Sequence, residues 1–309
     1  GQYHVVVPIT NPRTGSRLVD LACRLASRED DPTVHIVHVV QKPRQSAGGY
    51  GVAQSRRVVG KSEASLADLR AIAAEYGVDC DTSTILSHRS FEEIFTAANR
   101  KEADPVVTEW GDDGIWKAAR ADRPLDDLAR QLPCDFLVLK TRDLDPSRVL
   151  LPTDGNKPSE LNVGVARTLR DVAGAEVTLL YVVDRPKHRE QGEQFLADWA
   201  AEHGLNDAVR SVDDSGDIGA ALEREAQGHT LVLLGASERG LLSWLARDAL
   251  YLDIVDDIGC SVLLAEPKSK KGCSTGSVLF EEVRAVDGLV FPGFGSVERV
   301  GEAVAPACG

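Results

Sequence analysis

The sequence predicts an α/β protein built from two tandem copies of a doubly wound parallel sheet. Three observations carry this reading. The strand-like runs are short, rich in Val, Leu and Ile, and apolar throughout rather than alternating, as parallel strands covered on both faces require. Amphipathic stretches of helical period lie between them, which is the βαβ pattern. The runs also come twice: "HVVVPIT" (4–10) matches "RVLLPTD" (148–154), "VHIVHVV" (34–40) matches "VTLLYVV" (177–183), and "PCDFLVLK" (133–140) matches "GCSVLLAE" (259–266).

Each element follows from its own pattern. After the first strand, Leu18, Leu21, Ala22 and Leu25 fall on one helical face, and Leu161, Val165, Leu169 and Val172 do so in the equivalent place. Phe91, Ile94, Phe95 and Ala98 form a further stripe. "SGDIG" (215–219) reads as a turn entering a helix, with Asp217 as its N-cap. Pro8 to Pro152 is 144 positions, Val34 to Val177 is 143 and Cys134 to Cys260 is 126, so the first copy carries about 17 extra residues. The Gly-, Ser- and Arg-containing segment "QKPRQSAGGYGVAQSRRVVG" (41–60) reads as the loop that holds them. With Lys61 it carries the one basic cluster of the chain, Lys42, Arg44, Arg56 and Arg57. That cluster reads as a solvated loop, or more sharply as a lid over a ligand or a dock for an acidic partner. The domains expected are 1–144, 145–268 and a tail, 269–309, with no counterpart in the first copy.

The 309 residues carry 43% hydrophobic residues and a net charge of −13. That charge disfavours nucleic acid and anionic membranes as partners. Arg exceeds Lys and Asp exceeds Glu, a composition suited to a halophile. Cys23, Cys80, Cys134, Cys260, Cys273 and Cys308 form no CxxC pair and read as small apolar residues of a reducing cytosol. No signal peptide and no membrane-spanning run stands out. The absence of Met and the Gly start read as a processed terminus or a fragment of a longer protein. The chain has no Gly-x-Ser-x-Gly elbow, no HExxH and no paired metal-ligand spacing among its seven histidines. His35 and His38 straddle the two faces of one strand and read as hydrogen-bonded interior or rim histidines. Catalytic residues and metal ligands are therefore not expected, and the chain does not read as an enzyme. Trp110, Trp116 and Trp244 gather around the loops after the two fourth strands and read as covers of the sheet ends.

The most specific stretch is "LVLLGASERGLLSWLARDALYLDIVDDIGCSVLLAE" (231–266), in which a strand ends in a Gly-bearing loop and a fifth strand follows. It resembles the universal stress protein family, and the resemblance covers 1–267 twice. The resemblance implies five-stranded sheets of order 3-2-1-4-5, an adenine-nucleotide-alpha-hydrolase-like (HUP) fold, and dimers joined through their fifth strands. Within one chain, Phe136–Leu139 and Val262–Leu264 would pair, forming an intrachain pseudo-dimer and removing two exposed edges. ATP-binding members have an Asp after the first strand. They also have a Gly-x2-Gly-x9-Gly-Ser/Thr loop whose backbone N–H groups cradle phosphates.

Carried across, the second copy keeps Asp154 and Gly235, and the resemblance makes Asp154, Gly235, Ser237, Arg239 and Gly240 the cofactor-binding candidates. It departs at Glu238 and at Asp248-Ala249, which replace the second Gly and the Gly-Ser pair. The first copy departs further: Thr10 replaces the Asp, Glu109 the first Gly, Asp112 the second, and Asp122-Arg123 the Gly-Ser pair. A carboxylate about 4 Å from a phosphate charge costs ~1 kcal/mol in water and ~4 kcal/mol at an effective dielectric of 20. The loops thus keep the outline of a phosphate cradle with chemistry that opposes a bare phosphate. No cofactor is expected; ATP is the alternative for the second copy alone, with Mg²⁺ or Mn²⁺ between acids and phosphates. The function expected is a noncatalytic regulatory or stress-response module of the cytoplasm, self-paired within the chain and open to homodimerisation. Its more specific form is the cytosolic part of an amino-acid permease-type transporter, at the cytoplasmic face of the membrane. The alternative is an ATP-binding switch using the second copy only.

Overall fold

The computed structural model describes residues 1–41, 52–87, 90–110, 132–140, 143–153, 158–235 and 255–269. Its first half contains β1 (Tyr3–Ile9), α1 (Ser16–Ala26), β2 (Pro32–Gln41), α2 (Val52–Glu75), β3 (Asp79–Ser87), α3 (Ser90–Arg100), β4 (Pro105–Glu109) and β5 (Asp135–Lys140). The second contains β6 (Arg148–Pro152), α4 (Pro158–Ala173), β7 (Glu176–Val182), α5 (Arg189–Glu202), β8 (Val209–Asp213), α6 (Ile218–Ala226), β9 (Leu231–Gly235) and β10 (Ser261–Glu266). All ten strands join in one sheet of order β3-β2-β1-β4-β5-β10-β9-β6-β7-β8. Within each half every pairing is parallel.

The apolar runs are explained by burial on both faces. Along β1, Val5, Val7 and Ile9 join one layer, with Leu18, Leu21 and Leu25 of α1 and Leu66 and Leu69 of α2. Val6 points the other way, into a layer with Ile94 and Phe95 of α3 and with Phe136. In the second half, Leu169 of α4 and Leu196 of α5 cover the first face, and Ile218 and Leu222 of α6 the second. The α1 stripe is wholly buried, whereas Leu161 and Val172 of α4 are half-buried.

The halves meet where β5 and β10 run antiparallel, with Leu139 opposite Leu263, Val138 opposite Leu264 and Leu137 opposite Ala265. Burying both strands here pairs backbone groups that would otherwise form two open edges. Above this seam α1 packs on α4, and Arg28 forms an ion pair with Asp171. The described start of the tail returns to the first half: the Lys268 amide donates to Asp135 at 2.7 Å, and Ser269 exchanges hydrogen bonds with the Leu132 backbone.

The structure corrects the reading of 41–60 as a loop. Residues 52–60 are the opening turns of α2, which has 24 residues against 14 in α5. The glycines that signalled a loop are Gly48, Gly49 and Gly51, and beyond them only Gly60 interrupts a run of acceptable helix formers. Part of the insertion is therefore extra helix. Arg56, Arg57 and Lys61 stand exposed on it, while Lys42 and Arg44 lie outside the described residues.

Gly60 sits inside α2, and a Cβ added there would meet nothing within 4 Å. Gly60→Ala is therefore expected to raise unfolding free energy by about 0.5–1 kcal/mol, because it removes backbone freedom from the unfolded chain. Urea denaturation checks this, and an unchanged or lower midpoint would contradict the helical placement.

Candidate functional site

In an open parallel sheet, ligands sit beyond the carboxyl ends of the strands, where the strand order reverses. The order reverses twice here, between β1 and β4 and between β6 and β9. Val6 faces Val106 at the first point, and Leu150 faces Val232 at the second.

At the first point the chain leaves β1 through Thr10, which is exposed. The next turn is built locally: the Asn11 side chain accepts from the Arg13 amide at 3.0 Å, and the Asn11 carbonyl accepts from the Thr14 amide at 3.2 Å. Gly15 then opens α1, and a Cβ there would stand 3.3 Å from Ile9 and Leu69 side chains. Across the crevice β4 ends in Glu109, followed by the buried Trp110, whose amide donates to the Leu139 carbonyl at 2.8 Å. Burial raises the pKa of the half-buried Glu109 carboxyl, and Arg17 of α1 acts in the opposite sense.

Below Thr10 lies a polar chain with a defined direction. The Thr10 carbonyl can only accept, so His38 Nε2 donates to it at 3.1 Å. In the neutral imidazole, Nδ1 then accepts from the Ser62 hydroxyl at 2.5 Å, and Ser62 Oγ lies 2.5 Å from Thr84 Oγ1. Desolvation lowers the His38 pKa, with the bond to Thr10 opposing it. His38 and Ser62 are both buried, so the chain ties β1, β2, β3 and α2 together beneath the crevice. His35 on the same strand faces the opposite layer and bonds elsewhere, so both histidines are the hydrogen-bonded residues that the sequence suggested.

At the second point Thr153 is buried and its amide donates to the Leu180 carbonyl at 3.0 Å. Opposite it β9 ends in Gly235, paired with Ala265 of β10. Gly235 holds the place that Glu109 holds in the first half, since Glu109 pairs with Leu139 of β5 in the same manner. Of the sequence-predicted cofactor residues, Gly235 is placed at a strand end. Asp154, Ser237, Arg239 and Gly240 lie outside the described residues, as do Asp112, Asp122, Glu238, Asp248, Trp116 and Trp244.

The neighbouring strand ends are tightly made. Gly216 has φ +70° and approaches so closely that a Cβ would stand 2.7 Å from the Asp184 carbonyl oxygen. Asp217 caps α6 by accepting from the Ala220 amide at 3.0 Å, as its position in "SGDIG" predicts. Asp184 accepts from His188 and Arg185, and those bonds hold its carboxyl below the usual range.

Glu109 closes β4 at the first point, and Gly235 closes β9 at the second. Among the described residues there is no group of three or more His, Cys, Asp or Glu side chains able to hold a metal ion. Cys23 and Cys134 are buried and Cys80 and Cys260 half-buried, all as free thiols. Desolvation raises Cys23 and Cys134 to about 12 and Cys80 to about 11, which keeps these thiols protonated. Among the described residues no helix is long and apolar enough to cross a membrane.

Comparison with known proteins agrees with this architecture. Residues 3–140 match the model of the Universal stress protein family. No curated protein sequence matches the chain. A universal stress protein from Archaeoglobus fulgidus DSM 4304 superposes with a TM-score of 0.62 at 12% identity, over 86% of this chain and 96% of that one. The cytoplasmic domain of a prokaryotic cation chloride cotransporter gives 0.57 at 12%, over 88% and 98%. A candidate universal stress protein from Pseudomonas aeruginosa UCBPP-PA14 gives 0.54 at 18%, over 86% and 93%. At these identities the likeness establishes the α/β fold, and the family match establishes the universal stress protein resemblance for 3–140.

The raised Glu109 pKa carries a pH dependence. A carboxyl with a folded pKa above its unfolded value contributes stability below the unfolded value and loses it as pH rises through the folded one. Glu109→Gln is therefore expected to raise the Tm by a few degrees at neutral pH, with the gain vanishing near about pH 4. Thermal unfolding of both proteins across that range checks it, and a variant less stable at neutral pH would contradict it.

Proposed function

We propose that this chain is a noncatalytic tandem universal stress protein module, 1–144 and 145–268 with a tail from 269, that regulates by binding. In this reading its two units form an internal pseudo-dimer and its nucleotide loops are degenerate. The observation that carries the reading is Glu109, a half-buried carboxyl closing β4 where a phosphate cradle needs glycine. The more specific form is a cytosolic regulatory domain of a secondary amino-acid transporter. The like fold of a cotransporter's cytoplasmic domain supports that form. The partner would then be the transporter's membrane domain, and the working place the cytoplasmic face of a membrane.

Gly235 at the end of β9 favours one alternative, a nucleotide switch confined to the second half, with Asp154, Ser237, Arg239 and Gly240 around the nucleotide. Glu238 and Asp248 oppose it unless Mg²⁺ or Mn²⁺ bridges acid and phosphate. Titration calorimetry of the purified chain with ATP, with and without Mg²⁺ or Mn²⁺, separates the two. The module reading expects no binding heat at millimolar nucleotide. Binding that disappears in Asp154→Ala and strengthens in Glu238→Gly would overturn it in favour of the switch.

A further inference from the structure

The two outer strands of the sheet are finished differently. At β8 the Asp213 carbonyl serves β7 by accepting from the Val183 amide at 2.8 Å, so the Val212 carbonyl points outward. There it accepts from Arg189 Nη1 at 2.9 Å, and Asp214 holds that guanidinium at 2.8 Å. Among the described residues β3 bonds on one side only, to β2, and it has nine residues against five in β8. The side-chain nitrogens that approach it, of His35, Arg70 and Lys101, stop at the side chains of Asp81 and Thr82. The outward backbone of 79–85 is thus an open template for another strand.

Helix α2 overhangs this edge. Ser62 Oγ bonds both His38 of β2 and Thr84 of β3, so the helix lies above the groove between those strands. Tyr76 donates to Asp20 of α1, which turns one flank of α2 inward. At 3.6 residues per turn the opposite flank carries Arg56, Glu63, Ala67, Arg70 and Ala74, all exposed. Arg70 reaches down from that flank to Thr82 Oγ1 at 3.0 Å. Charge is ordered along the helix: 52–62 holds Arg56, Arg57 and Lys61 and no acid, whereas Glu63, Asp68 and Glu75 follow with Arg70 among them.

We propose that a second copy of this chain docks here about a two-fold axis normal to the sheet, β3 antiparallel to β3 and α2 antiparallel to α2. The level of the axis follows from the rise of each element. Ser62 stands level with Thr84, and Ala67, roughly 7.5 Å further along the helix, stands beside Thr82. An axis there sets Thr82 opposite its own copy, Asp81 opposite Ser83 and Asp79 opposite Ile85, so each acid faces an uncharged side chain. Within one chain the Ser83 hydroxyl has no hydrogen-bond partner. Above the strands, Glu63 of each helix meets Arg70 of the other, and the small Ala67 at the axis lets the helices close. Arg56 of each reaches the carboxyl end of the other α2, where Glu75 and the helix dipole favour a cation. The charge order of α2 is therefore complementary to its own reverse. This pairing is independent of what either crevice binds.

Analytical ultracentrifugation of the full chain tests this, with circular dichroism to show that each variant is folded. The wild type is expected to form a dimer whose fraction rises with concentration up to about 0.1 mM. Glu63→Arg alone and Arg70→Glu alone each set like charges face to face twice across the axis, and each should weaken the dimer at least about tenfold. An equimolar mixture of these two variants should recover wild-type association to within about threefold, because each copy then supplies the charge its partner lacks. Should either reversal fail to fold, Ala67→Glu, which places two acids together at the axis, is expected to give monomer. A wild type that stays monomeric at about 0.1 mM would overturn the pairing. So would folded variants that dimerise like the wild type, or a mixture of folded reversals that remains monomeric.

Discussion

The antiparallel meeting of β5 and β10 is the contact on which the rest of the molecule depends. Each half alone would present a strand with one side of its backbone unpaired and both faces apolar. Leu137, Val138, Leu139, Val262, Leu263 and Leu264 are essentially without solvent exposure, so their peptide groups must be paired within the protein. Pairing the two strands with each other satisfies both at once and places the two strand-order reversals symmetrically about the seam. The outer edges, β3 and β8, are left to polar means: Asp79 and Asp81 on one, Arg210 and Asp213 on the other.

This symmetry of backbone makes the asymmetry of side chains informative. β4 and β9 end in the same register against β5 and β10, yet one ends in Glu109 and the other in Gly235. The first crevice is also underlaid by the Thr10–His38–Ser62–Thr84 chain, which uses a backbone carbonyl at the mouth of the crevice as its terminal acceptor. A duplicated scaffold thus carries two unlike crevices.

The fold was legible because parallel strands buried on both faces leave continuous apolar runs, and duplication let each run be checked against its counterpart. The β5–β10 pairing was legible through the resemblance, since strand runs alone do not say which edges meet. The start of α2 was not legible, because clustered glycines at 48–51 dominated a window that also held the helical 52–60. Glu109 could be read as a replaced glycine from its offset to Gly235, but its burial could not. The hydrogen-bond chains were invisible for a different reason. Ser62 lies 24 positions from His38, and Asp81 lies 46 from His35, so only folding brings them together. The two faces of β2 were enough to say that its histidines act separately, though not with what.

The central claim is that this chain folds as one sheet organised about the β5–β10 seam. Hydrogen–deuterium exchange on the intact protein tests it most directly. Amides of residues 136–140 and 262–266 are predicted to be the slowest of all strand amides, opening only with global unfolding. Exchange there as fast as in the edge strands β3 and β8 would show two separately closing halves and contradict the account.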